Sequence, residues 1–400
     1  MRNKLYHNNF FRKIIIFTLS ASIVSGFVYS VIPPFLRLIG FTGSLYGIYG
    51  MISVFTSLIG TLTGGFIADY LGIKKLFYIS MILIVSGFIL ISTAEVENIF
   101  IGGGLSGLGS SFSWIAFVVL ASKIFPDERL AESFSYIMGF SSIGSGVGLF
   151  MGWTPVVCSL LFSIELFSVY RYGILFSAFI MMIFIFSLNI LFNDDILMKK
   201  NEIYAKKGSL DKSLLIIFIK LSLIQLIISF GAGLSIQNID YYFVLKYKTS
   251  SGELGSILGL QNILMGLLMF LMPSLSRRFG GPLTAYVIIS SPSIILILLM
   301  TFTNNLLIAS AIYIVRTILM NVANPLYEAF QMRLIPRDLR GRASSVLGIV
   351  WQFPAGLGRY VGGHLLDIDL ELPLRLTTIL YTIGLSMLVL LFRDVDRRSI

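Results

Sequence analysis

Long apolar runs, separated by short polar gaps, make up most of this chain. A helix needs about 20 residues at 1.5 Å each to cross the roughly 30 Å hydrocarbon layer of a membrane. The pattern therefore predicts twelve membrane-spanning helices. They lie near residues 12–33, 44–68, 75–94, 99–122, 133–156, 171–192, 213–238, 253–273, 283–303, 306–330, 343–366 and 374–392.

The composition agrees with this pattern and excludes a water-soluble fold. Hydrophobic residues make up 56% of the 400 residues and charged residues only 12%, against about 25% charged in soluble domains. The net charge of +10 would indicate a nucleic-acid partner if the basic residues formed a patch on a soluble surface. They lie instead in the gaps between apolar runs, so we expect the lipid bilayer as a partner and no nucleic acid.

The basic residues are shared unequally between the two sets of connections. With both termini on the inner side, the inner segments hold 22 of the 30 lysines and arginines, and the outer connections hold five. Cytoplasmic connections of membrane proteins are enriched in these residues. We therefore expect a multi-pass protein of the plasma membrane with both termini in the cytoplasm.

The polar segment NDDILMKKNEIYAKKGSLDK (193–212) divides the chain into two halves, 1–192 and 213–400. It is charged and has no apolar face, which is typical of a cytoplasmic linker. The halves resemble each other weakly: a shift of 208 residues aligns Gly47 with Gly255. A six-helix internal repeat is typical of transporters. The predicted fold class is an all-α integral membrane protein with twelve transmembrane helices in two pseudo-symmetric six-helix bundles.

A sequence motif lies between the second and third predicted helices. GGFIADYLGIKK (64–75) resembles the loop motif G-x-x-x-D-R/K-x-G-x-R/K-R/K of the major facilitator superfamily, with a departure at Tyr70. A degraded copy, PSLSRRFGG (273–281), lies between the eighth and ninth helices. The resemblance covers nearly the whole chain and implies the fold and the alternating-access transport of that family. The matching residues are Gly65, Asp69, Gly72, Lys74 and Lys75.

The resemblance implies that Asp69 is a conformational clamp on the cytoplasmic side, against the start of the eleventh helix. That helix begins with Arg340 and Arg342, and the corner after the fourth helix adds Arg129. Independently of the family, Gly65 would let the second helix approach a neighbour closely, and Gly72 would allow a turn with positive φ. The alternative is that the aspartate is a solvated loop charge and the two lysines only set the topology.

Glycines recur at short spacing within two predicted helices. GGGLSG (102–107) fits the dinucleotide pattern G-x-G-x-x-G, but it has no preceding strand and no acid about 20 residues further on. Gly144, Gly148 and Gly152 repeat every four residues and faintly resemble an antiporter motif of the same family, without its Gly-Pro pair. We expect close helix packing at both places.

Charges inside the predicted helices are the clearest functional candidates, because an ionisable group at membrane depth costs several kcal/mol unless it faces a cavity or a partner. Arg316 lies near the middle of the tenth helix, and Arg359 lies in the outer part of the eleventh. Asp240, at the outer end of the seventh helix, either pairs with Arg359 as an outer gate or faces water.

Amide side chains on the same helices add polar groups to a predicted cavity. Each alone is more often an interhelical hydrogen bond than a ligand contact. As a set, and with Arg316, they favour a polar or anionic solute over a bulky apolar drug. The candidates are Gln237, Asn238, Gln261, Asn262 and Asn321.

The predicted function is secondary active or facilitative transport of a small solute, with a proton as a possible coupling ion. The alternatives are a multidrug/proton antiport exporter and a non-transporting membrane sensor with the same fold. No catalytic nucleophile–base pair stands out, so we do not expect an enzyme. Two distant histidines and one cysteine make a metal site improbable. We expect no cofactor, and a monomer.

Overall fold

The computed structural model describes residues 9–124, 127–191, 212–269, 282–336 and 339–397, almost all of them helical. Residues 193–211 of the predicted linker 193–212, and the motif copy 273–281, lie outside the described residues. Numbered in chain order, the helices are α1 Asn9–Leu38, α2 Gly43–Leu71, α3 Ile73–Ser92, α4 Val96–Ile124, α5 Asp127–Phe150, α6 Trp153–Phe162, α7 Leu166–Leu191, α8 Lys212–Leu234, α9 Ile239–Tyr247, α10 Ser251–Met269, α11 Pro282–Met300, α12 Leu306–Leu334, α13 Arg340–Ile368 and α14 Leu372–Arg397.

These helices form twelve membrane spans within the described ranges, as the hydrophobic pattern predicted. Ten of the spans are long and apolar enough to cross a bilayer by composition alone. The other two are α10, with 19 described residues, and α13, which has 29 residues and carries several arginines. Helices suit this environment because they satisfy every backbone polar group within one segment.

The seventh span differs from its prediction. We placed its end near residue 238, but the helix breaks there and continues. α8 ends at Leu234, a 3₁₀ turn covers Ile236–Asn238, and α9 runs on to Tyr247. The polar run Ser-Ile-Gln-Asn looked like a helix end because polar groups in hydrocarbon need partners. Here Ser235 and Asn238 find such partners inside the protein, at Thr377 and at the Arg359 carbonyl, as in the broken helices of transporters.

One compact unit contains residues 1–41, 52–201 and 248–270. Within it, α5 packs along both α1 and α10. Small residues allow this approach: a side chain on Gly148 would overlap the backbone of Ile23 in α1, and one on Gly255 would overlap the backbone of Leu149. The close packing predicted for the glycines of the fifth span is therefore confirmed.

The GGGLSG stretch also lies inside a packed helix of this unit. A Cβ on Gly102 would be 2.7 Å from the carbonyl oxygen of Gly87, because α3 and α4 touch there backbone to backbone. On the other side of α4, Gly107 lies against Ser53 of α2. The stretch is a helix-packing surface, as expected, and no strand precedes it in the described chain.

The second compact unit contains residues 42–51, 202–247 and 271–400. α8 packs along α13 and α14, and α11 packs along α12 and α14. Gly233 of α8 faces Gly358 of α13 with no room for a side chain on either. This unit also includes the first turns of α2, which brings Thr42–Met51 against residues from the second half of the chain.

Candidate functional site

Arg316 is a buried cation in the middle of α12. Its residue surface is only 2% exposed, and it lies about 15 Å along the helix from Leu306. Its Nη2 donates a long hydrogen bond of 3.4 Å to the hydroxyl of Tyr381, and its guanidinium carbon lies 5.7 Å from the centre of that ring. Its Nε has no hydrogen-bond partner among the described residues. Arg316 therefore has donor capacity to spare.

Tyrosine side chains surround this cation. Tyr313 and Tyr286 lie within electrostatic range of Arg316, as Tyr381 does. The ring of Tyr286 stacks on Tyr327 with centroids 4.9 Å apart. Phenol rings stabilise a cation through their faces without neutralising it. The cluster of Arg316 and these tyrosines thus keeps its positive charge available for an anion.

A second polar cluster joins α2 to α9. The hydroxyl of Tyr46 donates a 2.6 Å hydrogen bond to Oδ2 of Asp240, and its ring stacks on Tyr241 at 4.2 Å with a 7° angle between planes. Both Tyr46 and Asp240 are at most 2% exposed. The sequence left open whether Asp240 faces water, and the structure shows that it does not.

Arg359 of α13 completes this cluster. Its Nε donates to Oδ1 of Asn238 at 3.2 Å, and the Nδ2 of Asn238 donates to the Arg359 carbonyl at 3.0 Å. The Arg359 guanidinium also lies 5.8 Å from the ring centre of Tyr46. Tyr46 therefore contacts the acid through its hydroxyl and the base through its ring. We call Tyr46, Asn238, Asp240 and Arg359 the latch.

Glycines of α2 make room for the latch. A Cβ on Gly50 would overlap the side chain of Arg359, and one on Gly47 would be 2.8 Å from the Arg359 carbonyl oxygen. At the start of α2, Asp367 of α13 accepts hydrogen bonds from the backbone nitrogens of Gly43 at 2.6 Å and Ser44 at 2.8 Å. A carboxylate at a helix N-terminus is favourable in charge and satisfies free N–H groups.

The other predicted cavity residues are shared between the two compact units. Gln237 lies in the 3₁₀ turn between α8 and α9 and has a buried Oε1 without a partner in the described chain. Asn321 accepts a 3.3 Å hydrogen bond from Asn324, within one helix. Gln261 and Asn262 are half-buried on α10, in the other compact unit. Their contact with a solute stays a prediction.

The loop motif is described in part. Gly72 has φ of 86°, which confirms the positive φ expected at this turn. Asp69 and Lys75 are exposed and Lys74 is half-buried. No described atom lies within 4 Å of a Cβ on Gly65, so the close approach expected there stays a prediction. On the neighbouring Gly64 a Cβ would be 2.5 Å from Ile115.

The clamp partners named from the sequence are Arg129, Arg340 and Arg342, and their side chains lie outside those that the structure describes. The clamp therefore stays a prediction. No group of three or more His, Cys, Asp or Glu residues that could hold a metal occurs in the described ranges.

Sequence reasoning missed the tyrosines of both clusters. Tyr46 and Tyr381 stand in apolar runs where a phenol carries no obvious signal. One signal could have identified Tyr46: glycines stand close to it on both sides, at Gly43, Gly47 and Gly50. Small residues around one aromatic residue indicate a tight helix contact.

Comparisons with known proteins agree on one family. The sequence model of the Major Facilitator Superfamily matches residues 14–359. A bacterial homologue of the human lysosomal transporter Spinster, solved inward-facing and unoccupied, has a TM-score of 0.72 at 13% identity, covering 96% of this chain and 98% of that one. The nucleoside transporter NupG has a TM-score of 0.70 at 15% identity, with 95% and 97% covered. No curated protein sequence matches significantly. The structural matches confirm the predicted fold.

Proposed function

The chain belongs to the major facilitator superfamily, and we propose that it moves a small polar or anionic solute across the plasma membrane by alternating access. Its loop motif and its twelve spans support this mechanism. Both termini lie in the cytoplasm in this proposal, as the 22 basic residues of the inner segments indicate.

The preference for an anion rests on the burial of Arg316 and on its contacts. A cation that is 2% exposed in the middle of a membrane helix is costly unless something compensates it. Its hydrogen bond and its ring contact within the described part of the chain are both to Tyr381, which stabilises the charge without cancelling it, and its Nε has no hydrogen-bond partner there. A carboxylate or phosphate on the solute would satisfy that donor and bring a negative charge to the arginine.

The latch acts in this proposal as the outer gate. It holds the first turns of α2 against α9 and α13 through Tyr46, Asp240 and Arg359. Opening the solute path to the outside would separate α2 from these helices and expose a buried carboxylate. A polar latch suits a gate because water can take over its hydrogen bonds when it opens.

An uptake screen in proteoliposomes tests this function. We expect small carboxylates and phosphates to enter or exchange, and nucleosides, neutral sugars and organic cations to do so poorly. Uptake confined to hydrophobic cations such as tetraphenylphosphonium would favour the multidrug exporter and contradict the proposal. Exchange of labelled for unlabelled anion on the two sides would support alternating access directly.

A further inference from the structure

A groove runs between α11 and α14 on an apolar face of the second unit. Its volume is about 570 Å³, within the roughly 300–1,000 Å³ of ligand pockets. Its rim is exposed, with Ile295 at 63% and Leu390 at 79%. In a membrane protein such a rim faces the acyl chains of the lipid. Three hydroxyl side chains also line the groove: Ser291, Thr382 and Ser386.

A small cavity of about 10 Å³ lies directly behind this groove, with room for about one water molecule. Ile294 and Leu385 line both the groove and the cavity, so these two side chains form the wall that they share. The other side of the cavity is formed by residues that include Tyr286, Met320 and Tyr381.

Tyr381 connects this cavity to the buried cation. It lines the cavity, it accepts the hydrogen bond from Arg316, and its ring lies under the guanidinium. The path from the lipid to the Arg316 guanidinium is therefore short. It passes through the open groove, the wall of Ile294 and Leu385, the small cavity, and Tyr381, and it ends at Arg316.

We propose that the solute is a single-chain anionic amphiphile that reaches Arg316 sideways from the bilayer, between α11 and α14. Its alkyl chain lies in the groove, and its anionic head reaches Arg316 when the side chains of Ile294 and Leu385 move aside, because the cavity behind them holds only about one water molecule. This inference rests on the proposed role of Arg316 and adds the class of solute and its path. A small water-soluble anion would gain nothing from an apolar groove that opens to lipid, whereas an amphiphile matches the groove along its chain and the arginine at its head.

The test compares two phosphates that differ only in chain length. Binding of radiolabelled dodecyl phosphate and methyl phosphate to the full chain is measured in phosphatidylcholine nanodiscs, with empty nanodiscs subtracted. Ser291→Phe and Ser386→Phe fill the groove. The matched controls are Ile288→Phe and Ile383→Phe, which place the same ring on exposed positions of the same two helices that do not line the groove.

We expect dodecyl phosphate to bind at least tenfold more tightly than methyl phosphate. Both groove variants should remove most of that difference while leaving methyl phosphate binding unchanged, and both controls should keep it. Equal effects of groove and control variants, or specific binding of neither phosphate, would overturn the inference. Loss of methyl phosphate binding in Arg316→Gln supports the proposed anion site separately. Unchanged binding of both phosphates in that variant would refute the anion site itself.

Discussion

The hydroxyl of Tyr46 donates a 2.6 Å hydrogen bond to the carboxylate of Asp240, 194 residues further along the chain. At this length a hydrogen bond to a charged acceptor is strong, and both residues are buried. The pair ties the first turn of α2 to α9. It is the contact on which we expect the outer gate to depend.

Tyr46→Phe should weaken the latch while keeping the ring stack on Tyr241. The change leaves a buried carboxylate without one donor, which costs about 1–3 kcal/mol. We expect a cysteine at Val244, which is buried in the wild type, to react faster with a membrane-impermeant maleimide in a Cys158→Ser background. Tyr247→Phe is the control, since its hydroxyl bonds the Thr303 carbonyl and not the latch. Equal labelling rates in the two variants would remove Tyr46 from the gate.

Gly50→Ala should destabilise the protein, because the added methyl group would overlap the side chain of Arg359. Overpacking of this kind costs about 1–3 kcal/mol. Gly65→Ala, on the same helix, meets no described atom within 4 Å and should be neutral or slightly stabilising. Thermal unfolding in detergent measures both. If the melting temperature fell as much for Gly65→Ala as for Gly50→Ala, the loss of stability would come from replacing any glycine of α2 and not from the overlap with Arg359.

Asp367→Asn should loosen the start of α2. The aspartate accepts hydrogen bonds from the backbone nitrogens of Gly43 and Ser44. Asparagine keeps one acceptor oxygen but loses the other and the negative charge, which costs about 0.3–1 kcal/mol at a helix N-terminus. Hydrogen exchange of the first turn of α2 should accelerate. Asp369→Asn serves as the comparison, because its exposed pair with Arg375 at 3.6 Å contributes little. The cap interpretation fails if exchange at Gly43–Ser44 is the same in both variants.

The sequence predicted the spans and the position of Arg316 because a charge in an apolar run is visible without any partner. It did not predict the latch, since the partners of Tyr46 are Asp240 and Arg359, which lie about two hundred residues or more away and become neighbours only in the fold. It also placed the end of the seventh span at Asn238, because a polar run in hydrocarbon looks like a helix end until its hydrogen-bond partners are known.

The glycines also show what residue spacing cannot predict. Their spacing predicted close helix packing in α4 and α5, and this is confirmed. Which neighbour each glycine meets depends on the helix rotation, which spacing alone does not determine. On α2, for example, a Cβ on Gly64 would meet Ile115, while one on the adjacent Gly65 would meet no described atom within 4 Å.

The central claim is that Arg316 binds the anionic group of the solute. The most direct measurement is the thermal stabilisation of the purified protein by an anion that the uptake screen selects, since a ligand that binds the folded state raises its melting temperature. We predict that Arg316→Gln abolishes this shift, that Arg316→Lys reduces it, and that Lys220→Gln, which removes another cation from a membrane helix, leaves it intact. An undiminished shift in Arg316→Gln would contradict the account.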